Sequence, residues 1–235
     1  MPYRLLTEFR GLFAGKPYLH RNSSLGDFVA MHLYEDLVAL GKSEKLAQHI
    51  DSREWAINTA NKRQGIKARR GDGTFGELVP GESPIVDPGF AVARGIIATV
   101  EIGIEIKILA KAMIKQIDRV SGDLIKQVLH FRQGSGNPIC IAIVGINHAP
   151  YTVGYEGERS YRTDGKANRH PNQEAAEAER RLIAQVAEHY DEFLVLHYSA
   201  TNDSPFTFGW VNETLTEQNY GAALVRISRE YDRRF

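Results

Sequence analysis

The sequence predicts an α/β protein with a mixed central sheet flanked by helices. Three observations carry this. Residues 96–107, IIATVEIGIEIK, alternate with the period of two that a strand imposes. From Leu109 to Phe131 the apolar period lengthens to that of a helix, through Met113, Ile117, Val120, Leu124 and Val128. Residues 138–146, PICIAIVGI, are apolar at nearly every position, as a strand covered on both faces must be. Strand, long crossover and strand imply a parallel pair joined in the right-handed sense.

The other elements follow in order. Residues 1–23 are broken by Gly11, Gly15 and Pro17 and assign nothing. Ser24-Leu-Gly-Asp27 resembles a capping box. It opens a helix with Leu25, Phe28, Val29, Leu33, Leu37 and Leu40 on one side, and Gly41 ends it. Residues 43–63 read as further helix through Leu46, Ile50, Trp55 and Ile57. Residues 66–79 read as a hairpin turning at Gly71-Asp-Gly73. Its approach is basic: Lys62, Arg63, Lys67, Arg69 and Arg70 suit a phosphate backbone, or equally protect a sheet edge. Pro80 to Pro88 is turn-rich, and Phe90 to Val92 is a short strand leading into the long one. The long helix shows Lys111, Lys115, Gln116, Arg119 and Lys126 on its other face, with a disturbance expected at Ser121-Gly122. Residues 147–171 mix Tyr151, Tyr155, Arg159, Tyr161, Arg162 and Lys166, which suits nucleic-acid contact or a solvated loop. A helix over 173–190, a strand over 193–198 and a short strand over 206–211 follow. Thr214-Leu-Thr-Glu217 then opens a last helix with Tyr220, Ala223, Leu224, Ile227 and Tyr231 inward. No linker or repeat interrupts this order, so residues 1–235 read as one domain.

Composition excludes some classes. With 235 residues and a formal net charge of zero, the chain is no histone-like binder of nucleic acid. The single cysteine, Cys140, lies in an apolar run and allows no disulfide within the chain, which fits a cytoplasmic protein. The sequence shows no secretion signal and no apolar run of membrane-spanning length. His148 and His170 lack the spacing of a zinc site.

The chemistry lies on the long strand. Alternation turns Ile102, Ile104, Ile106 and Ile108 into a core and sets Glu101, Gly103, Glu105 and Lys107 on the opposite face. Charges inside a fold must be paired or bind a metal. Carboxylate oxygens are what magnesium takes, with water and phosphate completing its shell. The row therefore reads as the floor of a metal-dependent phosphodiester-cleaving site, or else as a half-exposed face with cross-strand ion pairs. An acidic-x-Lys arises by chance about once in a chain this long, and Asp164-Gly-Lys166, in a turn, is such a competitor. Asp87, where the chain bends at Pro88-Gly89, is either a turn cap or a third carboxylate of the site. Glu101 is a poorer partner for Glu105: four residues along one strand separate their α-carbons by about 13 Å, whereas paired metals lie about 3.5–4 Å apart. Glu101 then becomes a supporting group. Glu35 reads as a solvated helix residue or as a further carboxylate of the site.

Asp87 and Glu105-Ile-Lys107, on a strand that feeds a long helix and then an apolar strand, resemble the PD-(D/E)xK nuclease superfamily. Type II restriction endonucleases belong to it. The resemblance implies a restriction-endonuclease-like core over about 24–146, completed by 147–235. It implies one or two Mg2+ ions held by Asp87, Glu105 and the carbonyl of Ile106, with Lys107 acting on the attacking water and the scissile phosphate. Glu35 matches the carboxylate that the preceding helix sometimes supplies. The expected function is divalent-metal-dependent cleavage of double-stranded DNA by a homodimer, as in restriction–modification. Two alternatives remain: a nuclease of repair, recombination or RNA processing, and a non-enzymatic nucleic-acid- or partner-binding domain.

Overall fold

The computed structural model describes residues 3–20, 24–59, 71–133, 136–156, 159–163 and 170–235. The first half carries α1 (Arg4–Gly11), α2 (Ser24–Leu40), α3 (Glu44–Ser52), β1 (Trp55–Asn58), β2 (Phe75–Glu77), β3 (Arg94–Gly95), β4 (Ile102–Leu109) and α4 (Met113–Phe131). The second half carries β5 (Ile139–Asn147), β6 (Thr152–Glu156), β7 (Arg159–Thr163), α5 (Pro171–Gln185), β8 (Glu192–Ala200), β9 (Phe208–Trp210) and α6 (Glu213–Arg234). Among the described residues the strands form a mixed seven-stranded sheet, in the order β3-β1-β2-β4-β5-β8-β9, and a separate β6–β7 hairpin. No helix among them is long and apolar enough to cross a membrane.

β4, β5 and β8 run parallel at the centre. The crossovers through α4 and α5 step the same way along the sheet, so their common right hand puts both helices on one face. There Cys140, Ala142 and Val144 pack against Met113, Ile117 and Leu124 of α4 and Leu182 of α5. The opposite face, with Ile102, Ile104 and Ile106 and their β5 neighbours, packs against Phe9, Leu33, Ile50 and Leu224 of α1, α2, α3 and α6. Two covering layers explain why β5 is buried along its whole length.

Several expectations change. Trp55 and Ile57 belong to β1, because Arg53 turns left-handed (φ 63°) and ends α3. The strand expected from residue 96 begins at Ile102. Ala98 bonds Glu77 and Glu101 bonds Phe75, so three steps on one chain face two on the other. That extra residue bends the strand as a bulge does. The long helix runs unbroken through Ser121-Gly122 and starts at Met113. Part of the polar segment 147–171 is the β6–β7 hairpin. α6 is capped by Asn212, whose side chain accepts the Leu215 N–H, instead of by Thr214.

Asn147 closes the carboxyl end of the parallel strands. Its amide donates to the carbonyls of Ala110 (3.1 Å) and Ala200 (2.8 Å), and its oxygen accepts the N–H groups of Ala149 and Ala200 (both 3.0 Å). One fully buried side chain thus ties the exits of β4, β5 and β8. Asn147→Ala should cost roughly 2–4 kcal/mol, since buried backbone groups are left unpaired. Urea unfolding measures this, and a loss under about 1 kcal/mol would show that water replaces the clamp.

Candidate active site

β2 lies antiparallel to β4 with Phe75 opposite Ile102. The chain ahead of β2 keeps to the same edge. Gly73 donates its N–H to the Ile104 carbonyl at 3.4 Å, and the Ile106 N–H donates to Oδ2 of Asp72 at 2.7 Å. Counting back from Phe75, Asp72 falls opposite Glu105, and opposite residues of an antiparallel pair share a face. Lys107, two residues on, shares it too, and its Nζ donates to Oε1 of Glu105 at 2.5 Å. Asp72, Glu105 and Lys107 line one cavity of about 380 Å³, with His20, Gln116 and Arg119 on its walls.

Small residues make this approach possible. A β-carbon at Gly71 or Gly103 would collide with the ring of Phe131 at the end of α4. One at Gly26, in the first turn of α2, would lie 2.7 Å from the carboxyl carbon of Asp72. The first turn of a helix favours a carboxylate. Asp27 in that turn opposes it. Burial, then the charge of Glu105, push the Asp72 carboxyl up to about 7, while the Ile106 N–H and the Lys107 charge pull it back. Two carboxylates are thus held side by side, half out of water, against their own repulsion. A divalent cation relieves that repulsion. The oxygens that fit it are those of Asp72 and Glu105 and the Ile106 carbonyl, which points to the same edge as the Ile106 N–H. All are hard donors of the kind magnesium takes.

The other expected residues lie elsewhere. Asp87 is not beside Glu105. Arg94 grips it through Nε at 2.5 Å and Nη2 at 2.7 Å, which holds its carboxyl below the usual range. Arg94 is in β3, with β1 and β2 between it and β4, a separation of about 14 Å at normal strand spacing. Glu101 does not share the face of Glu105. The bulge before β4 turns it to the opposite layer, where it accepts from Trp55 Nε1 (2.8 Å) and Tyr231 OH beside His49. Glu35 is neither solvated nor at the cavity. It is buried, and accepts the N–H groups of Ala91 (2.7 Å) and Val92 (3.1 Å) and Nη1 of Arg4 (2.9 Å). Arg159 and Arg162 are exposed on β7, and the Arg162 guanidinium lies 3.6 Å over the Tyr151 ring. Lys62, Arg63, Lys67, Arg69, Arg70 and Lys166 lie outside the described residues.

Asp72 is the residue that sequence reasoning missed. Gly71-Asp-Gly73 looks like a turn, and a turn gives its aspartate no part in the site. The usable signal was its position at the start of a strand expected to return against the Glu105 strand.

The raised Asp72 carboxyl has a stability consequence. Its ordinary value is 3.8, so folding takes up a proton between about 3.8 and about 7. Stability contributed by the protonated form is complete below the lower value and is lost as pH rises through the upper one. Without divalent metal, Asp72→Asn should therefore stabilise the protein at pH 8 by roughly 1–3 kcal/mol, and hardly at all at pH 4. Thermal unfolding in chelator at both pH values tests this. An equal effect at both would remove the strained carboxylate.

No protein-family model matches this chain, and neither a curated protein nor a solved structure is similar to it.

Proposed function

We propose that the protein is a divalent-metal-dependent nuclease that hydrolyses phosphodiester bonds of DNA, with Asp72, Glu105 and Lys107 as its reacting centre. The observation that carries this is the convergence of two carboxylates and an amine on one cavity from adjacent antiparallel segments. The arrangement resembles the PD-(D/E)xK pattern, with Gly71-Asp72 in the place of Pro-Asp and Glu105-Ile-Lys107 as the second half. The order of elements supports a restriction-endonuclease-like core: α2, the antiparallel β1, β2 and β4, then α4 and β5.

A bound Mg2+ would lower the pKa of a water and offset charge on the scissile phosphate. Asp72, Glu105 and the Ile106 carbonyl would hold it. Lys107, 27% exposed, bonds Glu105 in this state. Were Glu105 to turn to the cation, the Lys107 ammonium would be free to orient the attacking water and to balance charge on the phosphate. A two-fold symmetric duplex target would be met by a homodimer.

The Lys107–Glu105 bond also favours a second reading, a plain ion pair in a binding domain. Asp72 speaks against it, because burial and the Glu105 charge raise its pKa by more than the Ile106 N–H and Lys107 lower it, a cost that an ion pair alone does not require.

Two measurements test the proposal. With plasmid DNA and Mg2+ or Mn2+, the wild type should cut. Lys107→Ala should cut about 10²–10⁴-fold more slowly and bind DNA as well as before. Asp72→Asn should abolish cutting and Asp87→Asn should not. Absence of cleavage with every divalent metal and every nucleic acid would leave the ion-pair reading. Separately, Mg2+ at about a hundredfold excess over its dissociation constant should raise the wild-type Tm by roughly 5–10 °C. It should leave Asp72→Asn unmoved; an equal rise in both would place the metal elsewhere.

A further inference from the structure

A second cavity, of about 690 Å³, adjoins the carboxylate cavity and shares His20, Gln116 and Arg119 with it. Its size falls in the range of small-ligand pockets, roughly 300–1,000 Å³. One wall is the turn from β4 into α4, with Lys111, and the first turns of α4, with Lys115; the other is β7, with Tyr161 and Thr163. Lys115 and Arg119 stand four residues apart on one face of α4. Neither is ion-paired among the described residues. Lys111 lies 4.0 Å from the centre of the Tyr161 ring and also bonds its hydroxyl. Gly154, paired with Tyr161 across the hairpin, leaves the space that the ammonium fills. Tyr161 as a whole is still 42% exposed.

Lys115 and Arg119, without carboxylate partners among the described residues and beside an accessible aromatic ring, are the chemistry that takes a phosphate joined to a base. The walls shared with the carboxylate cavity let one strand run through both. A base reaches the Tyr161 ring only by leaving its own stack. We propose that this cavity binds an unpaired nucleotide next to the phosphate held at Asp72 and Glu105, so that the preferred substrate is a strand single-stranded or unstacked at the point of cleavage. The assignment of the neighbouring phosphate rests on the nuclease reading; the binding of an unpaired nucleotide does not. Lys111 orients the ring, Lys115 and Arg119 take the phosphate, and the base stacks on Tyr161.

The test is binding of a fluorescent oligothymidylate to the intact protein in chelator, where nothing is cut, beside a blunt duplex of equal length and free thymidine monophosphate. The oligothymidylate should bind more tightly than the duplex. Tyr161→Ala should weaken it about tenfold, and Tyr161→Phe, which keeps the ring, should not. Lys115→Ala should lower the slope of log affinity against log salt by about 0.7, the loss of one single-strand phosphate contact. Equal weakening of single strand and duplex by Tyr161→Ala, or none of either, overturns the proposal. So does thymidine monophosphate binding as tightly as the oligothymidylate, since the site then takes a free nucleotide. If Tyr161 proves irrelevant while Glu105→Gln abolishes plasmid cutting, the cavity assignment falls and the nuclease stands. If Tyr161-dependent binding is found and nothing is ever cut, the cavity stands and the nuclease falls.

Discussion

The ring of Phe131 sets the spacing on which the candidate site depends. It ends α4 and is almost fully buried over Gly71 and Gly103, where any β-carbon would strike it. Glycine in extended chain costs about 0.5–1 kcal/mol relative to alanine. Burial of one large aromatic side chain contributes about 1.5–3 kcal/mol, enough to offset both glycines. What results is a segment before β2 that lies flat against β4. Only in that position does the Asp72 carboxylate reach the Ile106 N–H and come abreast of Glu105.

The other buried acids of this fold show what a purely structural carboxylate looks like. Asp36 accepts the N–H groups of Arg4 and Leu5 at the start of α1 and the hydroxyl of Tyr220. Glu35 ties Ala91 and Val92 to Arg4, and Asp191 joins Cys140 N–H to Arg234. Each of these is surrounded by donors from several elements and knits them together. Asp72 stands instead buried beside two acids, Glu105 and Asp27, and burial first, then the charge of Glu105, raises its affinity for a proton. A fold that places like charges together gives up stability there, and such places are where function is sought.

Much of the architecture was legible in the sequence because it rests on periodicity. The all-apolar PICIAIVGI reads as a strand covered on both sides, and it is one. The switch from alternating to helical spacing near Leu109 marks the turn from β4 to α4. Glu105 and Lys107 were legible because two charges alternate with isoleucines on a core strand. Asp87 was misleading because a sequence shows a carboxylate and a bend but not the arginine, seven residues on, that neutralises it. Glu101 was misleading because strict alternation was carried through a bulge, and one extra residue reverses a side chain. Asp72 was hidden because glycines on either side suit a turn as well as they suit close packing under an aromatic ring.

The ladder that carries Asp72 is the thinnest in the sheet. β2 and β4 share a single register pair, Phe75 with Ile102, whereas β4 and β5 pair continuously from Ile102–Ile139 to Leu109–Ile146. The parallel half is covered by helices on both faces, one layer being α4 and α5 and the other α1, α2, α3 and α6. The strands β3, β1 and β2 join it along this edge, with Ile57 and Phe75 buried in the shared core. Outside the Phe75–Ile102 pair the edge is held by single bonds, among them Ala98 N–H to Glu77, Glu101 N–H to Phe75 and Gly73 N–H to Ile104. Asp72 and Glu105 sit on opposite sides of this seam, so any shift along it changes the distance between the two carboxylates. The pairing of Asp72 with Glu105 is therefore only as durable as this one edge of the sheet.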